Sequence, residues 1–306
     1  MASQLLLAEL EVGGLPLSLI WSLFGLSILA TLAAGLVAPL VGSFLLARRT
    51  GFLGIVLPQF AAAGVAFGYL VLPWWTEHLG HILDPVAHGD EAHLALGYHL
   101  QWAGLFTAIG LGVVALASRR RDGTDTGMMA AAFALASALT VLFAHGSPVG
   151  DIYVHGLLRG EILAIDEHEL EILAGTLALV ALGVVLGARH LTRVGIDPDS
   201  ARVLGDRPLL WELFLALLVG ATVSVSVMTV GPVVLFGLLV IPPLAARAFA
   251  RSMTSFLVLA SLLGGLSAAG GVWTSFTYDW PLGPSVVVAS AVLMLPAMPR
   301  LLGRSR

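Results

Sequence analysis

The chain contains no cysteine and no lysine, and only 11% of its 306 residues are charged. Without cysteine, disulfides and thiolate chemistry are excluded. Without lysine a standard P-loop is excluded, because its lysine is the group that reaches the nucleotide phosphates. Schiff-base chemistry on lysine goes with it. Soluble domains carry about 25% charged residues, so a chain this poor in charge cannot cover a surface that faces water. The net charge of −4 argues against nucleic acid as a partner. The first stretch, MASQLLLAELEV, has acids and no basic region and does not read as a cleavable signal.

Apolar residues are what the chain has in excess: 58% are hydrophobic, and the mean hydropathy is +0.95. The expected fold is all-α, a polytopic integral membrane helix bundle forming one domain over residues 1–306. Nine segments are long and apolar enough to span: 17–46, 52–73, 101–118, 128–146, 170–188, 209–229, 231–247, 254–276 and 284–301. The sixth and seventh are separated only around Thr229–Pro232, as a tight hairpin or a broken helix, so eight spans is the alternative count. With nine, the arginines at 48–49, 119–121, 189, 193, 202, 207, 247, 251, 300, 304 and 306 all fall on one side, and only Arg159 on the other. The positive-inside rule makes the arginine side cytoplasmic, with the N-terminus outside and the C-terminus inside. Small residues at four-residue spacing, Ala30, Ala34, Ala38 and Gly42, then Gly64 and Gly68, predict close helix contacts.

Three polar segments interrupt the bundle. An external loop, 74–100, carries His78, His81, His88, His93 and His99 among acids, a candidate set for a divalent metal. The plain alternative is a solvated loop, since no pair has the spacing of a structural zinc site. A second external segment, 146–170, holds His155 and Glu161 and is apolar enough at LLRGEILAI to re-enter the membrane. The third, the cytoplasmic segment 194–208, holds IDPDSARVLGDR with a helix-like core, SARVLG. An ordered polar helix in a short membrane-protein loop predicts that something docks there. Gln59, inside an apolar span, reads either as a pathway group or as an interhelical hydrogen bond. HEL at 168–170 lacks the second histidine of a metalloprotease motif. The span interiors carry almost no ionisable residues, which ion-coupled carriers need on their pathway. The energy source is therefore expected on a partner.

Several stretches, taken together and in order, resemble the permease subunits of bacterial metal-type ABC importers, the ABC-3 family of zinc, manganese and iron uptake. They are GLVAPLVGSFLLARRTGFLGIVLPQFAAAGVAFG at 35–68, LRGEILAIDEHEL at 158–170, DPDSARVLG at 197–205, VGPVVLFGLLVIPPLAARAFARS at 230–252 and DWPLGPSVVVAS at 279–290. The resemblance implies a permease without its own ATPase. A cytoplasmic ATP-binding subunit would dock on Asp197, Asp199, Arg202, Leu204 and Gly205. It also implies a second permease copy, identical or not, an extracytoplasmic metal-binding protein, no cofactor bound by this chain, and a divalent metal as cargo. The family has an aspartate and a histidine four apart on the metal path, where this chain has Ile55 and Gln59. Either other groups serve (Glu161, His155, the outer histidines), or a second permease supplies them, or the cargo differs. An ion-coupled secondary carrier and a siderophore- or cobalamin-type ABC permease are the competing readings. A membrane enzyme is the weakest, since no nucleophile or metal triad stands at matched depth.

Overall fold

The computed structural model describes residues 11–12, 15–48, 50–79, 96–117, 125–147, 154, 156, 165 and 167–303. A two-residue antiparallel pair, β1 (Glu11–Val12) with β2 (Leu15–Pro16), leads into α1 (Leu17–Ala47). Then follow α2 (Leu53–Leu79), α3 (Leu96–Ala117), α4 (Asp125–His145), α5 (Glu167–Ile196) and the short α6 (Pro198–Val203). The chain continues through α7 (Pro208–Val230), α8 (Pro232–Phe249), α9 (Met253–Tyr278) and α10 (Leu282–Met294). A 3-10 turn, Leu295–Ala297, joins α10 to α11 (Met298–Gly303). Among the described residues, nine helices are long and apolar enough to cross a membrane, the last running through α10 to Leu301.

The nine expected spans are present, and three run longer than hydropathy suggests. α2 continues past Pro73 to Leu79. Pro73 has no N–H for the Tyr69 carbonyl four residues back. The Ser147 hydroxyl donates to that oxygen at 3.1 Å, and the Tyr98 hydroxyl donates to the neighbouring Gly68 carbonyl at 3.1 Å. With those carbonyls served, the proline does not end the helix. α3 starts at Leu96 rather than 101, because Tyr98 and His99 are buried against α2. α5 extends below the apolar stretch to Ile196, with Leu191 and Val194 buried and Arg193 in its last turn, where a cation suits the helix dipole.

Between α7 and α8 the break is a single residue. Gly231 takes φ +82° and Pro232 starts the next helix. Only glycine adopts that φ without strain, and proline suits the first helical position, where no N–H partner is needed.

The small residues lie where backbones touch. Ala30, Ala34 and Ala38 are fully buried. A Cβ on Gly64 would stand 2.4 Å from the Trp102 carbonyl oxygen, so α2 and α3 meet backbone to side chain-free backbone. Two proline-freed carbonyls are also received by glycines. Pro243 leaves the Leu239 carbonyl without its helical donor, and that oxygen faces Gly42 of α1. Pro39 does the same for Gly35, whose oxygen faces Gly264 of α9. Cα–H···O approach of this kind is a weak but recurrent helix–helix contact. Apolar side chains gain nothing from leaving lipid for a protein interior, so such packing holds the bundle.

The arginine-bearing ends gather at one side. Arg48, just past α1, packs over Gly195 near the end of α5, with Glu212 of α7 as its charge neighbour. Burial pulls its guanidinium below the ordinary value, and the Glu212 charge partly restores it. At the same face Arg300 of α11 sits 4.4 Å over the Phe249 ring at the end of α8.

Candidate functional site

Helix α6 forms an elbow between two spans. Asp197 is its N-cap: the side chain accepts from the Asp199 and Ser200 N–H groups at 3.1 and 3.2 Å, and from the Ser200 hydroxyl. Pro198 follows at the first position, as helix starts favour. Those hydrogen bonds, the Ser200 hydroxyl first, hold the Asp197 carboxyl below its usual value, and slight desolvation opposes them.

The other end closes in a Schellman arrangement. The Asp206 N–H donates to the Ala201 carbonyl and the Gly205 N–H to the Arg202 carbonyl, both at 3.0 Å, with Gly205 at φ +88°. Asp197, Asp199, Arg202, Leu204 and Gly205, the residues expected in the docking segment, thus belong to one capped helix and its exit turn. Arg202 donates to Asp199 at 2.8 Å on the exposed face.

Ala201 turns inward, but the large apolar residues of this elbow face outward. Ile196 is 77% exposed, Val203 88% and Leu204 67%. Unlike the exposed leucines of the spans, Val203 and Leu204 lie beyond the membrane-spanning runs at the arginine-rich end, and Ile196 is the last residue of α5. Large apolar groups left open beside charges mark a surface that a partner covers.

Asp206 has a role that the sequence gave little sign of. Its side chain is 8% exposed, with Oδ1 2.6 Å from Nδ1 of His190 and Oδ2 3.4 Å from Nη1 of Arg193. The His190 contact is the main cause of its lowered carboxyl pKa, with Arg193 adding and desolvation opposing. The opposite face of the matter is aromatic: the His190 ring stacks on Trp211 of α7 at 4.5 Å with 2° between planes. Asp206, His190 and Trp211 border an open pocket of about 540 Å³ that also touches Leu186, Leu210 and Phe214. The one sequence signal for the partners was His190 and Arg193 at i, i+3 on a single helix face.

The expected pathway and metal residues do not form one site. Gln59 is half-buried, and its amide reaches Thr140 of α4 at 3.4 Å, an interhelical contact. Ile55 lies one turn before it on the same helix. His78 is exposed near the end of α2, stacked on Trp74 at 5.0 Å, with Nδ1 3.0 Å from the Trp74 carbonyl oxygen. His99 lies inside the bundle, 1% exposed, not in an external loop. It packs against the Tyr69 ring at 4.1 Å between centroids, tilted by 33°, and meets Tyr98 edge-on. Neither ring nitrogen has a hydrogen-bond partner, although the Val65 carbonyl lies nearby. His81, His88, His93, His155 and Glu161 lie outside the described residues. Among the described residues no three His, Asp or Glu side chains gather as a metal-holding group.

Among the described residues, nine packed spans with a capped, outward-facing helix at the arginine-rich end define a multi-pass membrane protein. Residues 22–300 match the ABC 3 transport family, and the chain belongs to that family. It is 24% identical over 269 residues to the manganese import system permease protein ScaB of Streptococcus pneumoniae, covering 88% of this chain and 87% of that one. It is 27% identical over 259 residues to the high-affinity zinc uptake system membrane protein ZnuB of Haemophilus influenzae, covering 79% and 92%. Among solved structures, PsaBC from Streptococcus pneumoniae in complex with Fab superposes with a TM-score of 0.73 at 19% identity, over 91% of this chain and 92% of that one. An inward-facing metal-chelate type ABC transporter superposes with a TM-score of 0.64 at 18% identity, over 98% and 94%.

Proposed function

We propose that the chain is the membrane-spanning permease of an ABC importer that carries a divalent metal, manganese or zinc, into the cytoplasm. The cargo class comes from relatives named for manganese and zinc uptake. The observation that carries the coupling reading is the capped α6 elbow, with Ile196, Val203 and Leu204 exposed beside the Asp199–Arg202 pair. A separate ATP-binding subunit docks there, and segment 194–208 is the coupling segment. The permease performs no covalent chemistry. It alternates between outward- and inward-open arrangements as the ATPase closes and reopens beneath it, paired with a second permease copy. An extracytoplasmic metal-binding protein delivers the ion to the external segments 74–100 and 146–170.

Cargo contact falls to groups other than Ile55 and Gln59. Manganese and zinc take carboxylate and imidazole ligands, which makes His155, Glu161 and the loop histidines His78, His81, His88 and His93 the candidates.

The test is uptake of radiolabelled manganese and zinc into proteoliposomes holding this chain with an ATP-binding subunit and a metal-binding protein of the same source. ATP-dependent accumulation of one or both ions is expected. Accumulation driven by a proton or sodium gradient, with no ATPase present, overturns the reading.

A further inference from the structure

The α6 elbow has two joints with the spans, and they are built differently. On the α5 side the link is a single residue: the Asp197 N–H still bonds the Arg193 carbonyl at 3.0 Å, while its side chain caps α6. That joint has little freedom. On the α7 side the link is Leu204–Arg207, four residues that include a glycine at φ +88°. A four-residue link with a glycine would bend under load. Here it is tied down. The Asp206 backbone closes the end of α6, and its carboxylate is held by His190 and Arg193 of α5. The same His190 ring lies flat on Trp211 in the first turn of α7, and Trp211 meets Phe214 edge-on one turn further. One carboxylate and one imidazole thus join α5, α6 and α7.

We infer that the Asp206–His190–Trp211 clamp, with Arg193, is the positioning device that makes α6 a rigid lever, so that displacement of its exposed tip moves α5 and α7 together. The inference rests on the importer reading above and names residues outside the docking surface that set how much of the ATPase stroke reaches the membrane. None of the four is among the cargo candidates. Their work is to hold the return joint straight. Without the clamp the docked ATPase swings α6 about the Leu204–Arg207 link, and hydrolysis proceeds with little transport.

Two measurements test this on the full chain. In proteoliposomes with the ATP-binding subunit, Asp206→Ala should lower metal carried per ATP hydrolysed about tenfold, the size a lost charge-assisted hydrogen bond has in an equilibrium. The subunit should still co-purify. His190→Phe, which keeps a flat ring against Trp211 but loses the bond to Asp206, should do the same. Asp206→Asn, which keeps an oxygen for the imidazole N–H, should fall between. The native absence of cysteine allows clean spin labelling of a Val203→Cys, Leu217→Cys pair, two exposed positions on either side of the α7-side joint. Its distance distribution should be one narrow peak, and Asp206→Ala or His190→Phe should lose that peak. An unchanged transport ratio or an unchanged peak in His190→Phe overturns the lever. A wild-type chain that no ATPase drives overturns the importer reading instead, whatever the distance measurement shows.

Discussion

A Cβ placed on Gly42 would stand 2.0 Å from the carbonyl oxygen of Leu239. That oxygen belongs to the turn whose donor Pro243 has removed, so α1 and α8 press together where one helix has no side chain and the other has a spare acceptor. Because the obstructing atom is backbone, no rotamer change relieves it. Gly42→Ala must therefore separate the two helices, and should destabilise the bundle by about 1–3 kcal/mol, the cost of overpacking a tight interior. Gly175 of α5 is the internal control, since nothing lies within 4 Å of a Cβ there. Gly175→Ala should be neutral or stabilising by up to ~1 kcal/mol through the unfolded chain's lost freedom. Thermal unfolding of the two variants in one detergent checks the contrast, and equal midpoints would refute it.

The tip of α6 should separate docking from folding. Val203 and Leu204 are exposed, and the Asp199–Arg202 pair lies on the surface, where an ion pair contributes little to stability. Val203→Glu, Leu204→Glu, Arg202→Glu or Asp199→Arg should leave the unfolding midpoint within the shift of an ordinary surface change, about 0.5 kcal/mol. Each should weaken co-purification of the ATP-binding subunit, and the charge reversals should abolish ATP-coupled uptake. Full uptake in all four would remove α6 as the docking site.

The Asp197 cap sets a pH dependence with a defined sign. Its carboxyl is lowered by bonds that exist only when α6 is folded, the Ser200 hydroxyl first. A group lowered on folding contributes stability that is complete above its unfolded value, near 3.8, and lost as pH falls through the folded value. The order of α6 should therefore be flat from pH 5 to 8, a range above about 4 where the free aspartate is already ionised. It should fray only in stronger acid. Asp197→Asn keeps an acceptor and should hold the helix with only the part of the acid transition that the lowered Asp206 carboxyl supplies, whereas Asp197→Ala should fray it at every pH. The mobility of a spin label at Val203 reads all three, and an acid transition of undiminished size in Asp197→Asn would assign it to another group.

The spans and the elbow were legible in the sequence because they rest on local signals. Twenty apolar residues announce a span whatever they pack against, and DPDSARVLGD contains its own caps: Asp197, Pro198 and Gly205 sit where a short helix begins and ends. What was not legible depends on neighbours far along the chain. Pro73 reads as a helix stop until Ser147 is brought to the Tyr69 carbonyl it frees and Tyr98 to the neighbouring Gly68 carbonyl. Asp206 looks like one more acid in a loop until α5, running past its apolar stretch, delivers His190 and Arg193 to it. His99 reads as part of a histidine-rich loop by proximity, but two aromatic neighbours and Gly68 draw it into the α2–α3 interface.

His99 gives the sharpest division between packing and metal chemistry. The ring is enclosed by Tyr69 and Tyr98, and a Cβ on Gly68 would reach 2.9 Å from its Nδ1, so the glycine makes the space that the ring fills. A buried imidazole without a hydrogen-bond partner costs stability, and an apolar ring of similar outline removes that cost. His99→Phe should therefore leave the unfolding midpoint unchanged or raised, with unaltered apparent affinity for manganese and zinc. His99→Ala should lose about 2–4 kcal/mol by opening a cavity between α2 and α3. If His99 instead held the metal on its way in, His99→Phe would weaken uptake at least about tenfold, the scale of losing one ligand or its support, while stability stayed high. Uptake affinity and thermal midpoint measured on the same preparation of His99→Phe thus decide whether this histidine belongs to the bundle or to the cargo.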